Sequence, residues 1–399
     1  MKIKTLILED INGIKSLSIN FYKGINIICG ANGIGKTTIL ESICHALNGG
    51  RNSHTVKKRF STEYGVISLN FQDILDDKYI NLKVNSFDPQ ENTNSYSKYD
   101  EIHDDNIKEI FSIKDLRQLP YQEINHVSKD ENRQRHDIHN QLMYGLDTSN
   151  IKSWFINRYL YSAHKNSLTD SQQKNFELAK AMFTVIDPNL KFLYSKANNM
   201  EIMLDEGGNE IYMEYLSSGY KSIISIIFGL LKEIEFRFPE KEINLKEFEG
   251  VILIDEICNH LHPIWQVKIV NILADFLPNA QFIMTTHSPH VLQSLEQGHV
   301  IALDYDQNHN VIQNHHDLSN HLCAGWTIDE ILRYIMKFTD FKSKLLVNAE
   351  HELEKALSGE KCEDVDDARE KLNLILHPMN AIREIIQDKV YKWKQNHNC

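Results

Sequence analysis

Apolar and polar positions alternate near the start of the chain. Leu17, Ile19 and Phe21 are separated by Ser18 and Asn20, the period of two that marks a half-buried strand. Beyond Gly24, residues 25–29 form a short, mostly apolar run. Ile39, Leu40, Ile43 and Leu47 then recur at helical spacing, and Gly49 and Gly50 predict where that helix stops. Residues 85–106 are rich in Asn, Asp, Ser and Tyr and read as an exposed loop or an insertion boundary. Helical spacing returns over 151–186, with Trp154, Phe155, Tyr159, Phe176 and Phe183 as a core stripe. A second long helix is predicted from residue 216. Residues 251–254, 281–285 and 300–303 are apolar on both faces, which suits strands of a sheet covered on both sides. Residues 327–395 are helical in pattern, with Ala368, Leu372, Ile375, Met379, Ile382 and Ile386 on one face. Gly359 and the acidic residues 363–367 mark a break there, and Pro378 predicts a kink in the last helix. No internal repeat is present. The expectation is an α/β fold.

Composition narrows the class. A chain of 399 residues has room for two or three domains. The longest apolar stretch, residues 223–231, is far shorter than the ~20 residues a membrane span needs. Lys2, Lys4, Glu9 and Asp10 interrupt the first residues before a signal-peptide core can form. A cytoplasmic location and no membrane partner are therefore expected. Cys29, Cys44, Cys258, Cys323, Cys362 and Cys399 include no CxxC pair, so reduced thiols are expected and no zinc site. The formal net charge of −12 argues against a surface that coats nucleic acid, and leaves room only for a local basic patch.

Residues 30–37 fit GxxxxGK followed by Ser or Thr without a mismatch. The glycines Gly30, Gly33 and Gly35, with Asn32 between them, let backbone N–H groups turn inward around phosphate oxygens. The following helix points its positive end at the same oxygens, and Thr38 lies in its first turn. Lys36 would reach the terminal phosphates, and the Thr37 hydroxyl would ligate Mg²⁺. ATP with Mg²⁺ is the implied ligand pair. Residues 251–256 form an apolar strand ending in two carboxylates: Asp255 would hold Mg²⁺ and Glu256 would polarise the attacking water. Between these motifs lies Leu216-Ser217-Ser218-Gly219-Tyr220, a small turn at a helix start, which read alone is a simple N-cap. Thr285-Thr286-His287-Ser288-Pro289 follows the next strand.

The order phosphate loop, LSxG turn, Asp-Glu strand and histidine resembles that of ABC ATPases. Residues 250–289 read GVILIDEICNHLHPIWQVKIVNILADFLPNAQFIMTTHSP, which is similar to the ABC ATPases of the RecF, OLD and SMC grouping. The image that fits best is a family of AAA-like ATPases of bacterial anti-phage operons, of the Septu and retron-associated type. The resemblance covers about two thirds of the chain. It implies a P-loop ABC nucleotide-binding domain with an inserted helical lid and a C-terminal helical region. In those terms residues 1–85 carry the first lobe, 86–209 the lid, 210–320 the second lobe, and 321–399 a docking or capping region.

In that family the ATP site is completed across a homodimer. Ser217, Ser218 and Gly219 would then touch the γ-phosphate held by the other subunit, and His287 would sense it in its own. A lid glutamine would link to Mg²⁺; Gln122 is the first candidate and Gln118 the second. Ser218 stands where many members have Gly, and Cys258 where relatives often have Asp. His260 and His262 are placed in a dimer-facing turn rather than a metal site. Asp304 and Asp306 lack the upstream strand-end Glu of a Toprim nuclease, and residues 126–139 carry no HNH pattern. Nuclease action is therefore expected of a partner encoded nearby. The alternative is a RecF-like repair ATPase that binds DNA itself, through Lys57, Lys58 and Arg59 or through Arg133 and Arg135.

Overall fold

The runs that are apolar on both faces become the interior of a six-stranded sheet. Its order is β13 (Val311–Asn314), β12 (His299–Tyr305), β3 (Ile25–Cys29), β11 (Gln281–Thr285), β10 (Val251–Ile254) and β6 (Ile110–Ile113). All neighbours pair parallel except β12 with the edge strand β13. The computed structural model describes residues 1–50, 55–72, 76–86, 107–115, 117, 119–314, 322–338, 343–359 and 361–397. Of the polar stretch noted above, residues 87–106 lie outside this set.

Successive strand residues feed opposite sides of the sheet. Ile28, Leu253, Ile283 and Ile301 pack with helix α1 (Lys36–Leu47) and an antiparallel sheet. That sheet runs β2 (Ile14–Asn20), β1 (Lys2–Ile11), β4 (Gly65–Gln72), β5 (Asp77–Val84). Ile27, Ile252, Phe282 and Met284 pack on the other side with the remaining large helices. Those are α3 (Ile151–Ser162), α4 (Asp170–Ile186), α5 (Ser218–Arg237) and α6 (Pro263–Phe276), with the short α7 (Pro289–Gln293) beside α6; α2 (Arg135–Tyr144) packs beside β6. The aromatic stripe is core: Phe155 stacks on Phe228 at 5.4 Å and meets Phe176 and Phe183 edge-on.

Residues 86–209 supply more than helices. Strand β6 joins the central sheet beside β10, and β7 (Leu190–Ser195), β8 (Ile202–Glu206) and β9 (Asn209–Tyr212) form a separate antiparallel meander. The chain divides into two compact units, Met1–Lys337 and Phe338–Cys399. The second unit holds α8 (Lys344–Leu357), α9 (Cys362–Ile375) and α10 (Ile382–His397) around Leu353, Val365, Leu372, Ile386 and Val390. Pro378 does not kink a helix. It lies between α9 and α10, where its missing N–H breaks no helical ladder, and Met379 and Ile382 leave the apolar face and are exposed. Cys362 is disulfide-bonded, whereas Cys29, Cys44, Cys258 and Cys323 carry free thiols. The expectation of six reduced thiols fails at Cys362, because spacing in sequence does not say which sulfurs a fold brings together. Among the described residues no helix is long and apolar enough to cross a membrane.

One buried charge cluster ties α5 to its surroundings. The Glu233 carboxylate accepts from Arg133 at 2.6 Å and Gln141 at 2.9 Å, and lies 3.1 Å from Lys232. Burial alone would raise this carboxyl, but Arg133, Lys232 and Arg237 outweigh it and hold Glu233 below the usual range. Glu233→Ala removes the carboxylate shared by Lys232, Arg237 and Arg133, of which Arg133 keeps Glu131 and Asp147. A loss of about 3–5 kcal/mol in unfolding free energy is expected, read by urea denaturation.

Candidate functional site

Three neighbouring strands, β3, β11 and β10, end at the same edge of the sheet, and each hands over to a loop with chemistry on it. This is where parallel α/β sheets place ligands. The loop after β3 needs its glycines. Gly30, Gly33 and Gly35 have φ of 145°, 76° and 106°, and a Cβ on Gly30 would stand 2.7 Å from the Leu303 carbonyl oxygen. Gly35 is the N-cap of α1, so no side chain caps the first turn and no acidic residue opposes its positive end. The N–H groups of that turn are thus available to an anion. Thr38 Oγ1 accepts from the Asn12 amide at 3.4 Å.

Lys36 is only 4% exposed. Its Nζ donates to the carbonyls of Gly30 at 3.2 Å and Ala31 at 3.1 Å, and to His287 Nδ1 at 3.2 Å. Burial pulls its pKa below the usual lysine range, and Glu256, Cys29 and Asp255 oppose that pull. Because an ammonium only donates, His287 Nδ1 accepts and its proton sits on Nε2. That Nε2 reaches Glu256 Oε1 at 2.9 Å. Lys36, His287 and Glu256 form one continuous polar chain.

Asp255 lies beside it. Thr37 Oγ1 is 3.0 and 3.2 Å from its two carboxylate oxygens. Thr285 fixes the pair from β11: its hydroxyl donates to Asp255 Oδ1 at 2.6 Å and accepts from the Glu256 N–H at 2.7 Å. Glu256 itself has a left-handed φ of 47°, a conformation that costs about 1–3 kcal/mol for a residue with a side chain. Arg117, 5% exposed, holds the same turn from the other side. Its guanidinium donates to the carbonyls of Asp255, Glu256 and Ile257. Sequence reasoning missed both residues. Thr285 lies in a segment that was singled out, but Arg117 sits in no motif.

The oxygen set of Thr37 and Asp255 suits a hard divalent cation, and the glycine loop with buried Lys36 suits polyphosphate, so Mg²⁺ and ATP fit these residues. Gln122 is not brought to them. Its amide nitrogen lies 3.4 Å from Asn150 Oδ1, and its main-chain carbonyl accepts from Lys152. Gln118 lies outside the described residues.

Ser217 caps α5, its Oγ accepting from the Tyr220 N–H at 3.5 Å, and Ser217 and Ser218 are exposed. Gly219 is buried close to the His260 carbonyl, where a Cβ would come within 3.3 Å. His260 has φ of 65°, and His262 caps α6 by accepting from Ile264 N–H. Among the described residues no hydrogen bond joins Ser217, Ser218 or Gly219 to Lys36, Asp255 or Glu256 of the same chain.

Comparison with known proteins fits this geometry. Residues 25–293 match the AAA_21 family, described as "AAA domain, putative AbiEii toxin, Type IV TA system". A Septu protein PtuA of Bacillus thuringiensis is 37% identical over 394 residues, covering 97% of both chains. The chain belongs to the Septu PtuA family of ABC-type ATPases. A "Retron Vc95 probable ATPase" of Vibrio cholerae serotype O1 biovar El Tor is 33% identical over 234 residues, 57% of this chain and 42% of that protein. An SMC head bound to the C-winged helix domain of ScpA superposes with a TM-score of 0.50 at 15% identity, over 79% of this chain and 98% of that one. That likeness concerns the fold alone. The chain has the P-loop ABC ATPase fold that the SMC head also has.

Proposed function

We propose that this PtuA-family chain binds ATP with Mg²⁺, hydrolyses it as a head-to-head homodimer, and uses the nucleotide state to control a partner nuclease in an anti-phage system. The observation that carries the enzymatic part is the pairing of Thr37 with Asp255 alongside the Lys36–His287–Glu256 chain. Gly30, Asn32, Gly33, Gly35, Thr37 and Thr38 would form the phosphate cradle. Lys36 would exchange its contacts with Gly30, Ala31 and His287 for terminal phosphate oxygens. Thr37 and Asp255 would hold Mg²⁺, which when bound neutralises phosphate charge. Glu256 would accept the proton of the attacking water. His287, no longer shared with Lys36, would be left to bridge Glu256 and the γ-phosphate.

Ser217, Ser218 and Gly219 of a second copy would complete the site. The exposure of Ser217 and Ser218 at an N-capped helix start supports this reading, since those two residues present outward. Ser217→Arg should abolish more than nine tenths of phosphate release, because a guanidinium fills the space where two copies close. A monomeric Ser217→Arg protein with native turnover would refute completion of the site across subunits.

The partner reading rests on family membership and on residues 321–399, proposed as a docking or capping region. Affinity capture of the neighbouring gene product, with and without residues 327–399, tests it; a complex retained after the deletion removes those helices from the interface. Direct DNA binding is the weaker reading. Arg133 is committed to buried Glu233, and Lys57 and Lys58 bond within the fold to Ser86 Oγ and the Thr62 carbonyl.

A further inference from the structure

The turn after β10 depends on a residue that no motif contains. We infer that Arg117 is a positioning residue for Glu256: it sets the Glu256 carboxylate through the backbone of residues 255–257 and serves turnover without serving nucleotide binding. This rests on the proposed ATP hydrolysis at the same site.

The guanidinium spends every hydrogen bond found for it on main-chain carbonyls. Nε donates to Lys114 O at 3.1 Å, one terminal nitrogen donates to Ile257 O at 3.2 Å, and the other donates to Glu256 O at 2.5 Å and to Asp255 O. Among the described residues no carboxylate pairs with it. A buried arginine without an acidic partner is an expensive arrangement to keep for packing alone. The three consecutive carbonyls it gathers belong to Glu256 and its two chain neighbours, and Glu256 holds a φ of 47°. Thr285 pins the N–H side of the same turn, and Arg117 pins the carbonyl side. Only a planar fork with five donors reaches this many acceptors in one place, which lysine cannot imitate. Burial draws the Arg117 pKa down to about 10, so the group stays cationic at neutral pH beside Asp255, Glu256 and Cys258.

The test uses full-length Arg117→Met and Arg117→Lys beside Glu256→Gln. Both Arg117 variants should lower kcat by about 10- to 100-fold with KM and ATP affinity within about twofold of wild type. In the Glu256→Gln background, Arg117→Met should add no further loss to the single-turnover rate, because the two residues act as one unit. A kcat within twofold of wild type, a rise in KM that accounts for the loss, or an additive double variant would each overturn the assignment. If Arg117→Met fails to fold, the lysine variant, which keeps the charge and most of the volume, carries the same three readouts. Failure of the hydrolysis reading looks different: wild-type turnover would then be insensitive to Glu256→Gln.

Discussion

Glu256→Gln is expected to bind ATP with near-native affinity while releasing phosphate at least about 10²-fold more slowly, the usual contribution of a positioned general base. The substitution is nearly isosteric. Oε1 can still accept from His287 Nε2, so the 2.9 Å contact and the turn around Asp255 should survive. What is lost is the basic oxygen that takes a proton from water. A dimer that closes on ATP and opens after hydrolysis should then accumulate in the closed form. Phosphate release together with sedimentation in ATP and Mg²⁺ checks both halves. Native turnover would remove Glu256 from its role.

Lys36→Ala should fail one step earlier, at binding. Charge-assisted hydrogen bonds are each worth about 1.5–3 kcal/mol, so losing two to the terminal phosphates weakens ATP by roughly 10²- to 10⁴-fold. The fold should tolerate the change, because among the described residues Lys36 Nζ bonds only to two loop carbonyls and to His287. Titration with a fluorescent ATP analogue, alongside a thermal melt, separates lost binding from lost structure. Equal affinity in the variant would mean that the phosphates lie elsewhere.

The parts of this site that were readable from sequence are those whose chemistry is local. A phosphate loop needs its glycines, lysine and threonine within eight positions, so residues 30–37 announce themselves. The strand before Asp255 is apolar on both faces because it lies inside a covered sheet, with all four residues buried. Other features depend on where distant segments meet. Gln122 was picked by its place in a pattern, yet the chain path carries it to Asn150 and Lys152. Arg117 was invisible because an arginine that binds backbone carbonyls has no partner residue type to mark it. Arg133, a candidate DNA contact by charge alone, is set against Glu233 by the fold. Strand β6 is four residues long and lies beyond a polar stretch, so only its parallel register with β10 identifies it.

The central claim is that one chain cannot complete the ATP site. It is tested most directly by mixing Ser217→Arg with Glu256→Gln protein, each nearly inactive alone. In a mixed dimer one site joins an intact Glu256 to an intact Ser217, and the other site carries both lesions. At equal amounts, mixed before ATP is added, the phosphate-release rate should rise above that of either protein alone, toward a ceiling of about a quarter of wild type that random pairing sets, with half the dimers mixed and one complete site of two in each. A rate that stays at the average of the two separate proteins, at every mixing ratio, would contradict the account.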